Sequence, residues 1–329
     1  MEGVLIDSFG RHISYVRLSV TDRCDFRCRY CMAEEMNFLP NEQLLGFDEI
    51  EALVDLLVER GVGKIRLTGG EPLVRRGILD LVARLGTRLG RGLDELTLTT
   101  NASQLAGAAE SLARSGVKRI NVSLDSLDPS KFAHITRRGR LGQVLQGIAA
   151  AKAAGLKVKI NMVALLGLND DEIEPMLRWC ASEGFDLTLI ETMPLGEVDG
   201  DRVAHFLPLD AVKRELERTY TLAPSLDRTG GPARYFDVAE LGVRLGLITP
   251  ISENFCAGCN RIRVTATGTV YGCLGHDQKT ELRDLLRAGD LAGVEAALDA
   301  LIAGKPERHG FDIAAAAPAV ERFMSETGG

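Results

Sequence analysis

The chain has 329 residues, 45% of them hydrophobic, which is enough to bury a substantial core and too many for a disordered polypeptide. A formal net charge of −7 and a pI near 5.4 exclude general affinity for nucleic acid or an anionic membrane, so clustered basic residues read as a local anion site. No apolar run reaches membrane-spanning length and no signal-peptide profile opens the chain, so the expected location is cytoplasmic, where seven cysteines point to metal ligation rather than disulfides.

From residue 15 to about residue 192, short strand-like runs alternate with amphipathic helix-like ones. Strands are expected at 15–20, 64–68, 96–99, 119–124, 157–163 and 187–191, and helices at 47–60, 78–89, 106–114, 143–154 and 172–183. Gly61, Gly116, Gly155 and Gly184 follow four of these helices, where a positive φ is needed. Repeats of this length imply right-handed crossovers and a parallel sheet. The expected class is α/β, an incomplete (β/α)6 TIM-like barrel over residues 1–200.

Cys24, Cys28 and Cys31 fall within eight residues at the end of the first strand. A three-residue and a two-residue gap gather soft thiolates without help from the fold, which suits an iron-sulfur cluster or zinc. Structural zinc wants a fourth protein ligand. Three cysteines on a four-iron cluster instead leave one iron open to something that is not protein. The C-x3-C-x2-C spacing, with Tyr30 before the last cysteine, resembles the radical S-adenosylmethionine (SAM) signature. That resemblance implies that the open iron binds SAM, which is cleaved reductively to a 5′-deoxyadenosyl radical.

Along the strands one parity is polar and the other apolar. Arg17 and Ser19, Lys64, Arg66 and Thr68, Thr97 and Thr99, Asn121 and Ser123, and Lys157, Lys159 and Asn161 share a face. In a parallel sheet covered by helices the apolar set must face the helices, so the polar set points inward. An ordinary barrel interior is branched and apolar; this one reads as a cavity for a charged ligand. The segments TDRC, TGGEP, TTN, SLD and ETMP stand at the strand ends, where a parallel barrel puts its active site, and Gly69 and Gly70 would let backbone approach a ligand closely.

After Pro194 the pattern becomes loop-rich, and residues 201–329 read as a C-terminal cluster-binding region that closes the barrel opening. Cys256 and Cys259 are followed by Cys273, with a hairpin around Thr267 and Gly268 to bring Cys273 back. With His276 these could form a Cys3His zinc site; as three cysteines they could hold a second open cluster. Arg261 and Arg263, which follow at once, favour a cluster next to an anionic substrate. Helical runs at 281–288 and 291–302 come next, Cys180 beside Trp179 reads as core, and the last residues, ending in Gly328 and Gly329, read as a flexible tail.

Taken together, FGR at 9–11, RLSVTDRCDFRCRYCM, KIRLTGGEPLVRR, LTTN, INVSLDSLD, GPARYF, the long block around Cys256 and Cys259, and the C-terminal Gly-Gly resemble the GTP 3′,8-cyclase family of molybdenum cofactor biosynthesis over nearly the full chain. The resemblance implies that Cys24, Cys28 and Cys31 hold the 4Fe-4S cluster that binds SAM, with Tyr30, Gly70, Ser123 and Met193 at the cofactor. It implies a second 4Fe-4S cluster on Cys256, Cys259 and Cys273, whose open iron meets the guanine, and it assigns GTP to Arg17, Lys64, Arg66, Thr99, Lys159, Arg261 and Arg263. The implied reaction removes the 3′ hydrogen of the ribose, joins C3′ to C8 and, after reduction, gives 3′,8-cyclo-7,8-dihydro-GTP. An electron donor, the next enzyme of the pathway and a second copy of the chain are the expected partners, and the Gly-Gly tail is expected to reach the site. Three positions depart from the family: Thr188 stands where a basic residue is expected, Ala102 follows TTN, and Thr327 precedes Gly-Gly. The competing readings are a radical SAM enzyme that modifies a peptide with an auxiliary cluster, and a non-enzymatic nucleotide sensor.

Overall fold

The computed structural model describes residues 3–196, 203–226, 230–315 and 317–328. Its strands are β1 (Tyr15–Ser19), β2 (Lys64–Thr68), β3 (Glu95–Thr100), β4 (Arg119–Ser123), β5 (Lys157–Ala164), β6 (Asp186–Glu191), β7 (Leu222–Pro224), β8 (Arg234–Val238), β9 (Val243–Ile248), β10 (Arg261–Val264), β11 (Thr269–Tyr271) and β12 (Lys279–Glu281). They form one sheet in the order β12-β11-β10-β1-β2-β3-β4-β5-β6-β9-β8-β7. The six expected strands are present and parallel, but the parallel run has two more members. Strand β10 pairs with the outer edge of β1 and β9 with the outer edge of β6, each continued by antiparallel strands. The C-terminal region therefore widens the parallel sheet on both sides. A six-stranded sheet would have left two bare edges, and sequence periodicity carries no information about which distant strand covers them.

The helices are α1 (Phe47–Glu59), α2 (Ile78–Gly86), α3 (Leu105–Arg114), α4 (Pro129–Thr136), α5 (Leu141–Ala153), α6 (Ile173–Glu183), α7 (Leu209–Leu216), α8 (Arg283–Ala288), α9 (Leu291–Ala303) and α10 (Met324–Thr327). In α1, Ile50, Leu53, Val54 and Leu57 recur at helical spacing and are all buried against the sheet. Helix α4 lies outside the expected set although its start is written in the sequence: the Asp128 carboxylate accepts from Ser130 N and Lys131 N, both at 2.8 Å, and Pro129 follows it. Gly61, Gly116, Gly155 and Gly184 all take positive φ. Cys180 is fully buried on α6, as expected of a core residue.

Strand parity survives in three dimensions. Val16, Leu18, Ile65, Leu67, Leu96, Leu98, Ile120, Val122, Ile160 and Met162 belong to the continuous core under the helices, and the opposite face turns inward. The C-terminal segment departs from expectation. It is a short helix with Ser325 and Thr327 buried, not a frayed end, while Gly329 lies outside the described residues. Among the described residues no helix is long and apolar enough to cross a membrane.

Candidate functional site

One cavity runs along the inner face of the sheet, and every residue expected at the site lines it except Lys64. The N-terminal cysteines stand at one end, the C-terminal cysteines face the same space, and basic side chains fill the wall between them.

At the first end, Cys24, Cys28 and Cys31 are free thiols on the loop that follows β1. Burial pushes all three up, Cys31 to about 12, so as thiolates they need a cationic partner in the cavity. The loop is clamped from β2. Gly70 N donates to Thr21 O at 2.9 Å and Glu71 N to Arg23 O at 2.8 Å, and a Cβ on Gly69 or Gly70 would collide with the carbonyl of Thr21 or Arg23. These glycines thus serve the approach of one loop to another as well as any approach to a ligand. The Glu71 carboxylate, fully buried, accepts from Leu73 N at 3.0 Å, Thr100 Oγ1 at 2.8 Å and Asn101 N at 2.6 Å, and burial raises it to about 7. Asn101 in turn donates to Asp25 at 2.7 Å and lies 3.8 Å from the Cys24 sulfur. Tyr30 donates to Asp125 at 2.7 Å, and Asp125, pushed up to about 6 by burial, also accepts from Val163 N. Glu71, Asn101 and Asp125 were legible as members of the TGGEP, TTN and SLD segments at strand ends, the last two also by inward parity; their carboxylates and amide are what tie those ends together.

The wall carries the charge. Cross-strand register sets Arg263, Arg17 and Arg66 side by side on β10, β1 and β2, and in the next row Arg261, Tyr15 and Lys64. Like charges opposite one another in a sheet are destabilising, so a row of three arginines marks a place for an anion. Tyr15, unmarked in the sequence because its ring reads as apolar, sits fully buried with Lys64, Arg66 and Arg17 at 4.9, 5.4 and 6.0 Å from its ring centre. Burial raises its phenol, but Arg66, Arg17 and Lys64 together outweigh burial and bring it down to about 7. Lys64 lies beneath the cavity wall, paired with Glu95 at 2.9 Å, so it supports the row instead of facing the ligand space. Burial and Arg66 lower Lys159 to about 7, and its ammonium donates to Tyr235 at 3.0 Å. Arg66 Nε, Thr99 Oγ1, Asn161 Oδ1, Thr192 Oγ1 and Ser325 Oγ are buried on the cavity without a hydrogen-bond partner, as polar groups meant for a ligand would be.

At the second end, Cys256 and Cys259 sit on a single turn of 3₁₀ helix and the β10–β11 hairpin returns Cys273, as the sequence implied. His276 does not join them: it is hydrogen-bonded to Arg308 O at 2.9 Å and is absent from the cavity wall. Among the described residues no three His, Cys, Asp or Glu side chains close around a single ion, and three soft thiols facing a cavity without a fourth protein donor fit a polynuclear cluster better than zinc. Arg11, of the FGR segment, fixes this end from outside. It pairs with Asp7 at 2.6 Å and donates to Cys256 O at 2.9 Å and to Glu307 O and Pro306 O at 2.7 Å each. Arg322 does the same for the Cys273 loop, donating to Leu274 O at 2.5 Å and His276 O at 2.7 Å. Arg263 donates to Thr327 O at 3.1 Å and to Gly328 O, which brings the end of the described chain to the arginine row.

Comparison with known proteins agrees with this geometry. Residues 18–180 match the Radical SAM superfamily and residues 185–311 match Molybdenum Cofactor Synthesis C. A GTP 3′,8-cyclase of Erythrobacter litoralis is 58% identical over 99% of this chain and 98% of its own, and one of Rhizobium meliloti is 56% identical over 99% and 94%. Among solved structures, Streptococcus suis SuiB superposes with a TM-score of 0.61 at 19% identity, over 85% of this chain and 66% of that one. SuiB shares the fold, and this chain spans about two thirds of its length.

Proposed function

The chain belongs to the GTP 3′,8-cyclase family, with the relatives' near-complete coverage as the evidence, and from that membership we propose how its residues divide the work. The activity is conversion of GTP to (8S)-3′,8-cyclo-7,8-dihydroguanosine 5′-triphosphate, the first step of molybdenum cofactor biosynthesis, with 4Fe-4S clusters and SAM as cofactors. When bound, the SAM-ligating cluster and SAM supply the radical that starts the reaction.

Cys24, Cys28 and Cys31 hold that first cluster, and Tyr30, Gly70, Ser123 and Met193 flank SAM. Cys256, Cys259 and Cys273 hold the second cluster. Arg17, Arg66, Lys159, Arg261 and Arg263 bind the triphosphate, with Thr99 beside it; charge-assisted, bidentate contacts suit phosphate oxygens. Lys64 acts through Tyr15 and Arg66. The single observation that carries this reading is the arginine row lying between two cysteine triads in one cavity. Residues 1–200 form the radical SAM part and 201–329 the cluster-binding part, sharing one sheet; we place the protein in the cytoplasm, taking electrons from a reductant, with a second copy of the chain and the next pathway enzyme as partners. Carried by a full-length family match, this reading displaces both the peptide-modifying and the sensor alternatives.

The test is anaerobic incubation of reconstituted protein with GTP, SAM and dithionite. Cyclised nucleotide and 5′-deoxyadenosine should appear together, whereas 5′-deoxyadenosine without a GTP-derived product would sink the assignment.

Binding should also depend on pH. In the free chain Lys159 titrates near 7, Lys64 near 8 and Tyr15 near 7. As pH rises from about 6.5 to 8.5 the two lysines lose charge and the phenol gains a negative one, so the wall becomes less positive. A tetra-anionic ligand favours the protonated forms, so GTP binding at pH 8 takes up about one proton and the dissociation constant rises about tenfold per pH unit. Calorimetry in two buffers of different ionisation enthalpy measures this uptake; release of protons instead would contradict the electrostatics described.

A further inference from the structure

Lys305 is 2% exposed and follows α9, outside every motif that pointed to the site. Among the described residues its ammonium has one hydrogen-bond acceptor, the sulfur of Cys259 at 3.6 Å, and no carboxylate pairs with it. Its stem packs on Gly272, the neighbour of Cys273: a Cβ placed on Gly272 would lie 3.5 Å from Lys305 Cγ. The next two carbonyls, of Pro306 and Glu307, are those that Arg11 holds together with Cys256 O. Residues 305–307 thus form a strap that reaches the surroundings of all three C-terminal cysteines.

A buried ammonium is costly unless an anion faces it, and nothing but the sulfur end of the cavity offers one here. A cluster held by three thiolates is net negative and becomes more so on reduction, so a fixed cation beside it stabilises the reduced form more than the oxidised one. Hydrogen bonds to ligand sulfur act in the same direction.

We propose that Lys305 is a positioning residue of the second cluster: its ammonium donates to the Cys259 sulfur, balances the charge of the thiolate set and raises that cluster's reduction potential. The proposal rests on the reading that Cys256, Cys259 and Cys273 hold a four-iron cluster. It adds a residue from beyond the cysteine block to the machinery that tunes it.

The experiment is an EPR-monitored potentiometric titration of the full-length, iron-reconstituted protein and of its K305M and K305R variants, with the N-terminal cluster as internal reference. In K305M the C-terminal cluster should titrate at a more negative potential while the N-terminal cluster stays in place, and K305R, which keeps the cation, should return toward the wild-type value. Unmoved midpoints in K305M with full iron content would overturn the proposal. So would an equal shift in K305M and K305R, which would make the effect one of packing and not of charge. If K305M fails to retain the second cluster, K305Q, which keeps a donor without the charge, decides: a negative shift supports the proposal and an unchanged midpoint overturns it. A wild-type protein with only one cluster would refute the underlying reading instead, and is visible before any variant is made.

Discussion

Iron falls from about eight to about four per chain when Cys256, Cys259 and Cys273 are together replaced by alanine, and GTP cyclisation falls to background while SAM is still cleaved under a strong reductant. The separation of the two outcomes follows from the layout. The two cysteine sets come from opposite parts of the chain and meet across the cavity and its basic wall, with the C-terminal segment passing between them from Arg322, on the Cys273 loop, to Ser325, beside Cys31. The first set is held by the loop after β1 and the Glu71 clamp, which is built from the ends of β2 and β3. The second depends on Arg11, Lys305 and Arg322, which hold backbone or sulfur at that end alone. Iron and sulfide analysis with product chromatography checks the result. An iron count that stays near eight in the triple variant would mean that other residues hold the second cluster, and loss of SAM cleavage would mean that the two ends are not independent.

Replacing Glu71 by leucine is the most damaging single change expected at the first end. The leucine is of similar size and apolar, yet it leaves Leu73 N, Thr100 Oγ1 and Asn101 N without their acceptor in a fully buried position. Each stranded donor costs about 1–3 kcal/mol, so a loss of about 3–5 kcal/mol is expected after the apolar gain is credited. The sign of the pH effect can be worked out too. Burial raises the Glu71 carboxyl to about 7 from an ordinary value near 4.5, so the folded state holds its proton more tightly than the unfolded one. Its contribution to wild-type stability is complete below about 4.5 and is lost as pH rises through about 7. Denaturant unfolding of the wild type and E71L at pH 5 and pH 8 measures both effects: the gap between the proteins should be larger at pH 5. A gap of less than about 1 kcal/mol at both values would show that the clamp is dispensable. Asn101 also loses its anchor beside Cys24, so E71L should retain less iron at the N-terminal set.

Much of this was written in the chain because a strand's two faces differ by one residue. The inward parity of Arg17, Lys64, Arg66, Thr99 and Lys159 was visible without any coordinates, and so were the two cysteine groups, whose spacing is local. What escaped was non-local or chemically ambiguous. Tyr15 shares parity with Arg17 but reads as apolar until three cations are seen around its ring. Lys64 has the right parity and still faces Glu95, because depth along a strand is not a property of parity. Helix α7 and strands β7 and β8 sit in a region whose pattern is broken by loops, and β9 and β10 find their places only by pairing with β6 and β1. The C-terminal residues by themselves read as a flexible tail, and only the family resemblance pointed them at the site; their carbonyls are acceptors for a buried guanidinium. At Thr188, where a basic residue was expected, the structure has a small buried side chain facing Gly246; a Cβ there would also meet the Tyr235 ring, so the space near Lys159 goes to Tyr235.

The pairing of β1 with β10 has a consequence for the newborn chain. The partners are about 250 residues apart in sequence, as Ser14 and Asn260 at their start also show. Strand β1 leaves the ribosome early, and at about 5–20 residues per second its outer edge waits roughly 10–50 s for β10 to be made. During that interval a row of unpaired amides and carbonyls, next to three reactive thiols, is open to any other strand in the cell. A strand made about 250 residues before its partner is among the last to be completed, so a stalled or shortened polypeptide leaves its cysteine loop on a ragged edge.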